Sequence, residues 1–166
     1  MRLSPASESR PLFGSRFRSE SGAALVEFAL VLPLLLTLLL GMLDFGKAFN
    51  YWIDSTHLAN EGARWAVVNH NPGGGTLQDY VRSQATTGEL RDGGTDSVPA
   101  GDQAQVCISF PSGTSNVGDP VRVTVTSHYF LLPFIGNKLS AGDLSITGSA
   151  TMRLEARPTN YSAGCA

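Results

Sequence analysis

Gly22-Ala23-Ala24-Leu25-Val26-Glu27-Phe28, with the apolar run that follows it to Leu43, decides the fold. Glu27 is the sole charged residue between Gly22 and Leu43, and most positions from Phe28 onward are Leu, Val, Phe or Met. At about 1.5 Å of rise per residue, a helix over 23–43 is about 31 Å long, which matches a bilayer's hydrocarbon core. A water-soluble domain has little use for so long an apolar helix. The sequence therefore predicts a transmembrane helix over 23–43.

Length and charge bound what surrounds it. The 166 residues suit one small domain plus a span. A net charge of −2 with 16% charged residues offers no basic face, so nucleic acid is not an expected partner. Residues 1–22 form a basic leader, with Arg2, Arg10, Arg16 and Arg18 against Glu8 and Glu20. Pro5, Pro11 and several serines predict no stable helix over 1–20. The arginines hold this leader in the cytoplasm, so the chain after the span is extracytoplasmic. A cleaved secretory signal competes with this reading. Its apolar core, however, is about 7–15 residues and ends at a small-residue site. The run here is longer, and Gly41-Met42-Leu43-Asp44 is a poor site. A plain uncleaved signal anchor is the simpler alternative.

Glu27 needs a physical account. A carboxylate at the centre of a span costs about 2.5–3.5 kcal/mol, whereas each Leu returns about 0.3–0.6 kcal/mol. Residues 25–43 include ten leucines. Together they contribute about 3–6 kcal/mol, enough for insertion to survive. An acid inside a membrane usually has a partner. A cut after Gly22 would create one, because the new α-ammonium of Ala23 lies one helical turn from Glu27. That ammonium could pair with Glu27 of its own chain or of a neighbour. The alternative is that Glu27 snorkels to the headgroups. Pro33 also has two readings. It deprives the carbonyl of Ala29 of its helical donor. The result is either a bend used in packing on other subunits or a kink the membrane tolerates.

Several of these residues carry a resemblance. Gly22 followed by Glu27 at the fifth position of the cut chain resembles a type IV prepilin leader. The run from Ser21 to Leu36 resembles the TadE-like family. So do Leu43-Asp44-Phe45-Gly46-Lys47-Ala48-Phe49, Ala59-Asn60-Glu61-Gly62-Ala63-Arg64 and the late Thr151-Met152-Arg153-Leu154-Glu155. The main resemblance covers 21–68. It implies a pseudopilin-like protein of tight-adherence (Flp) pilus assembly. Implied processing residues are Gly22, Ala23, Glu27 and Phe28, and implied assembly residues are Glu27 and Pro33. Implied partners are the membrane, a prepilin peptidase, other pilins or pseudopilins and the inner-membrane assembly platform. One departure is that Glu20 and Ser21 directly precede Gly22, where a basic residue is expected. Cleaved and uncleaved forms both stay open.

Past Leu43 the helix is expected to continue over 44–68. Phe45, Phe49, Trp52, Thr56, Ala59, Ala63 and Ala66 recur at spacings of four and three, the mark of one helix face. That stripe either packs on the C-terminal domain or meets another subunit. Asp44, Lys47, Asp54, Glu61 and Arg64 fall on other faces, and Gly62 invites close approach of another backbone. Asn69 to Gly75 ends the helix with Pro72 and three glycines. Thr76 with Asp79 predicts the start of a short second helix that ends near Gly88. Residues 91–102 read as loop.

The period then changes to two. Val106, Ile108 and Phe110 predict one strand, and Val121, Val123 and Val125 a second. Leu144, Ile146, Gly148, Ala150, Met152 and Leu154 predict a third. Tyr129 to Ile135 reads as an apolar loop or short helix, buried in the core or resting on a membrane or partner. The expected fold is α+β: a long N-terminal transmembrane helix, its amphipathic extension, and an extracytoplasmic domain over 69–166 with a short helix and a small antiparallel sheet. This is the plan of a pilin. Cys107 and Cys165 would pair as a disulfide if the domain lies outside the cytoplasm, and are otherwise two thiols.

No catalytic constellation stands out, and neither an enzyme nor a cofactor is expected. His57, His70 and His128 are scattered, H-E-x-x-H and G-x-S-x-G are absent, and the glycine run lacks the Lys-Ser/Thr pair of a phosphate loop. Asp92, Asp96 and Asp102 lack the EF-hand spacing. Two functions remain. One is a non-enzymatic pseudopilin-like protein of the inner membrane. The other is a permanently anchored extracytoplasmic module that binds a ligand or a protein.

Overall fold

The structure is a computed structural model that describes residues 17–130 and 143–166, with side chains from Gly22 onward. The expected α+β plan is found: a long N-terminal helix, then short helices and a four-stranded antiparallel sheet. Helix α1 spans Phe17–Val67 and passes through Pro33. The Thr37 hydroxyl donates to the carbonyl of Pro33 at 2.8 Å, which satisfies a polar group within an apolar stretch. The expectation of no helix before residue 21 is corrected for Phe17–Glu20, which belong to α1. Residues 1–16 of the leader lie outside the described residues.

By its contacts the chain divides into two units after Leu39. The first contains the N-terminal part of α1. From Gly22 to Leu39 its described side chains are exposed, apart from a half-buried Leu32. From Gly22, α1 is long and apolar enough to cross a bilayer, and none of its most apolar window is buried. A core helix of a soluble domain would bury that window. This exposure is what a single-pass membrane protein shows.

The second unit packs the remainder of α1 against the sheet. The sheet order is β3-β2-β1-β4, with β1 Gln105–Ser109, β2 Pro120–Phe130, β3 Asp143–Arg153 and β4 Gly164–Cys165. Strands β2 and β3 pair along their full length, from Pro120 opposite Arg153 to Phe130 opposite Asp143. Val121, Val123, Val125, Ser127 and Tyr129 face inward and are buried, as a half-buried strand requires. Two details correct the sequence reading. Tyr129 and Phe130 are strand residues, and Leu131–Ile135 lie outside the described residues. Strand β4, too short to show any period, was not foreseen.

The face that α1 buries differs from the expected one. Ala59, Ala63 and Ala66 are buried as anticipated, but Ala48, Tyr51, Ser55 and Leu58 lead the stripe into the core. Phe45, Phe49 and Trp52 stay exposed, Phe45 at 69%. Small residues explain the close fit. A Cβ on Gly148 would stand 2.5 Å from the backbone of Ser55 and Thr56, so β3 meets the helix at that point through glycine alone. Gly62 meets the side chains of Val123 and Val81 rather than a backbone, each 3.1 Å from a Cβ placed there.

Both ends of the short elements have local causes. Helix α1 stops at Asn69, which takes a positive φ of 52°. His70 N–H donates to Trp65 C=O and Asn69 N–H to Ala66 C=O, the two bonds of a Schellman cap. The Asn69 side chain then holds the C-terminal segment: its Oδ1 accepts from the amides of Thr159 and Asn160 at 2.8 and 3.0 Å. Helix α2, Leu77–Ser83, is capped by Thr76, which accepts from the Asp79 amide as the sequence predicts. A further short helix, α3 at Gly88–Asp92, occupies ground expected to be the end of α2 and a loop.

Candidate functional site

The processing and assembly residues singled out by the sequence lie in the first unit, on the N-terminal part of α1. Gly22, Ala23, Glu27, Phe28 and Pro33 are all exposed, and they share one helix. Positions 23 and 27 are four apart, so their side chains share one face of it. Around Glu27 stand Leu25, Val26, Phe28 and Leu30, each more than half exposed. In water such a surface is unfavourable by about 25 cal/mol per Å² of apolar area. In a bilayer it is matched.

Gly22 has no packing reason among the described residues. It sits within a helix, where Gly is about 0.5–1 kcal/mol worse than Ala. Among the described residues a Cβ placed on it meets nothing within 4 Å, so no described neighbour requires the smallest residue. Gly41 and Gly46 are similarly open.

In the second unit three polar groups of α1 that the sequence placed on other faces turn inward. The Asp44 carboxylate accepts from the Tyr129 hydroxyl at 2.5 Å. Lys47 Nζ pairs with Glu89 Oε1 at 2.9 Å and reaches the Ser97 hydroxyl at 3.4 Å. Asp54, only 6% exposed, accepts from the amides of Thr86 and Thr87 ahead of α3. These contacts fix α1 to the body of the domain through charge-assisted bonds. Periodicity missed them because it weights apolar positions alone. Burial, and then the acceptor Asp44, push the Tyr129 phenol well above the usual tyrosine range.

Cys107 and Cys165 face each other in the β1–β4 register and are joined as a disulfide. Among the described residues, no three or more His, Cys, Asp or Glu side chains gather as a metal site. A shallow groove by Glu61, Arg64, Trp65 and Val68 holds no convergent set of reactive groups.

No curated protein and no solved structure matches this chain. Residues 22–64 match the family model described as TadE-like protein, the family that these same residues resemble.

Proposed function

We propose that this chain is a pseudopilin-like protein of a tight-adherence (Flp-type) pilus or a related secretion system. It acts without catalysis, from the inner membrane, with residues 1–22 in the cytoplasm and residues 69–166 outside. The TadE-like match over 22–64 and the exposed apolar helix support this reading. The observation that carries it is the TadE-like match, which begins at Gly22, a helical glycine that no described neighbour requires. A peptidase that admits only a small residue at the cut supplies the missing reason.

The mechanism has three steps. The basic leader and the span set the orientation. Prepilin peptidase then hydrolyses the Gly22–Ala23 peptide bond and frees the ammonium of Ala23. That ammonium neutralises Glu27 one turn away, in the same or a neighbouring chain, and lets the span pack beside other pilin-like spans on the assembly platform. Pro33 bends the span for that packing. The Cys107–Cys165 disulfide suits an oxidising compartment outside the cytoplasm.

Mass spectrometry of the membrane-extracted protein tests the reading. The mature chain is expected to begin at Ala23. Gly22→Val is expected to leave the fold intact and abolish the cut, and Glu27→Gln to permit the cut but abolish assembly. A chain that keeps residues 1–22 beside an active peptidase, and that tolerates Glu27→Gln, is instead a permanently anchored binding module.

A further inference from the structure

The outward face of α1 within the second unit changes character at one level. Met42, Leu43, Phe45, Phe49, Trp52 and Ile53 are exposed. Between Met42 and Ile53 the other exposed residues are Gly46 and Asn50, so the exposed positions carry no charge, and the half-buried Lys47 at the edge of the face is paired with Glu89. From His57 the same face turns polar, with Asn60 and Arg64 exposed, and an exposed apolar side chain returns only at Val68, after the last turn of α1. The charged residues of this stretch are directed elsewhere: Asp44 toward Tyr129, Lys47 toward Glu89 and Asp54 toward Thr86 and Thr87.

We propose that this face, from Met42 to Ile53, is seated in the lipid bilayer, with Trp52 in the headgroup layer, so that the globular unit rests on the membrane surface. The proposal builds on the membrane-span reading and moves the water boundary outward from Leu43. Three observations select lipid as the occupant. The face continues the apolar run of the span without a charged residue among its exposed positions. It ends at a level across the helix axis, which a planar solvent boundary produces. Its last turns also carry the residue type that suits such a boundary, because the Trp ring is apolar while its N–H is polar.

Helix arithmetic agrees. Twenty residues, about 30 Å of helix, span the hydrocarbon core. Counted back from Lys47 they reach Phe28, which leaves Glu27 at the opposite boundary. Trp52 then lies about 7–8 Å beyond Lys47, within the headgroup layer. At this end of the sheet Leu144, opposite Tyr129, is exposed, beside the exposed polar pair His128 and Asp143, a mixture that belongs at the headgroup layer and not in hydrocarbon.

The full chain, reconstituted in vesicles of phosphatidylethanolamine and phosphatidylglycerol, tests this through its two tryptophans, Trp52 and Trp65. Trp65 stands thirteen residues further along α1, about 20 Å away. Trp65→Phe leaves Trp52 as the reporter, and the difference between wild type and Trp52→Phe gives the same signal should Trp65→Phe fail to fold. Trp52 emission is expected to be lost in vesicles whose acyl chains are brominated near the headgroups, and to resist aqueous iodide. Trp65 is expected to behave in the opposite way. Quenching of Trp52 by iodide but not by brominated lipid overturns the proposal and leaves the span reading intact. Quenching by neither also overturns it and marks the face as covered by protein, such as a second copy. Failure of the chain to float with the vesicles overturns both readings.

Discussion

The hydroxyl of Tyr129 donates a 2.5 Å hydrogen bond to the carboxylate of Asp44, tying the end of β2 to the stretch where α1 leaves its apolar run. The Tyr129 ring also meets Tyr51 edge to face, with centroids 5.1 Å apart. The polar and the aromatic contact together fix helix against sheet at this end of the unit.

A pH dependence follows. Burial and Asp44 both favour the neutral phenol of Tyr129, so its folded pKa exceeds the unfolded one. Tyr161, whose hydroxyl donates to the Ala66 carbonyl at 2.9 Å, is pushed up to about 12 by burial. A raised pKa contributes stability that is complete below the unfolded tyrosine value of about 10 and is lost as pH rises through the folded value. The urea midpoint should therefore be unaffected by these two groups near neutrality and should fall above about pH 10. The Tyr129→Phe, Tyr161→Phe double variant should show a shallower alkaline decline. An equally steep decline would assign it to other groups.

Gly148 gives a sharper test of the helix–sheet contact. Its missing Cβ would overlap the Ser55 and Thr56 backbone at 2.5 Å, and backbone cannot rotate aside. Gly148→Ala should cost about 1–3 kcal/mol or more, the range for overpacking. Gly46→Ala, in open space on α1, should be neutral or should stabilise by up to about 1 kcal/mol through helix propensity. Chemical denaturation of the two variants checks both signs.

How far the sequence foretold this arrangement depends on which residues carried the signal. The long apolar helix, the Thr76 cap and the valines of β2 each express one strong local preference, and each appears where expected. The buried face of α1 differs from the one its periodicity predicts, because Phe45, Phe49 and Trp52 point outward. In the structure the inward positions near the span are Ala48, Tyr51 and Ser55; Tyr51 is a large aromatic that does point inward, and it is at Ser55, opposite Gly148, that the helix approaches β3 too closely for bulk. Asp44, Lys47 and Asp54 were unreadable for a related reason: their partners lie 32 or more residues away, beyond any periodic pattern. Gly22 and Glu27 stand out in the sequence because they break the preferences of an otherwise uniform helix, and their roles belong to the proposed function.

Tyr51 supports a prediction of the opposite kind. Its side chain is fully buried, and among the described residues its hydroxyl meets no hydrogen-bond partner. A buried, unsatisfied hydroxyl carries a desolvation cost of about 1–3 kcal/mol. Tyr51→Phe keeps the ring contacts with Tyr129 and removes that cost, so it should be neutral or stabilising. Tyr51→Ala should cost about 3–5 kcal/mol, as for other large-to-small core changes. A clear loss of stability in Tyr51→Phe would mean that the hydroxyl is satisfied by water.

The last prediction concerns the C-terminal edge of the sheet. Strand β4 is two residues long, and its pairing with β1 is extended by the reciprocal bonds between Val106 and Ala166, each 3.0 Å. So short a strand holds its place poorly by ladder bonds alone. The Cys107–Cys165 bond closes a loop of 58 residues, for which the chain-entropy model gives about 4 kcal/mol. Reduction, or Cys107→Ser with Cys165→Ser, should lower stability by up to that amount. The loss should begin locally, because Asn69 and Gln78 still hold residues 159–164 through side-chain bonds. Hydrogen exchange should therefore rise first at the amides of Val106 and Ala166, with β2 and β3 still protected. Uniform acceleration across the sheet would show instead that the disulfide supports the whole unit rather than its edge.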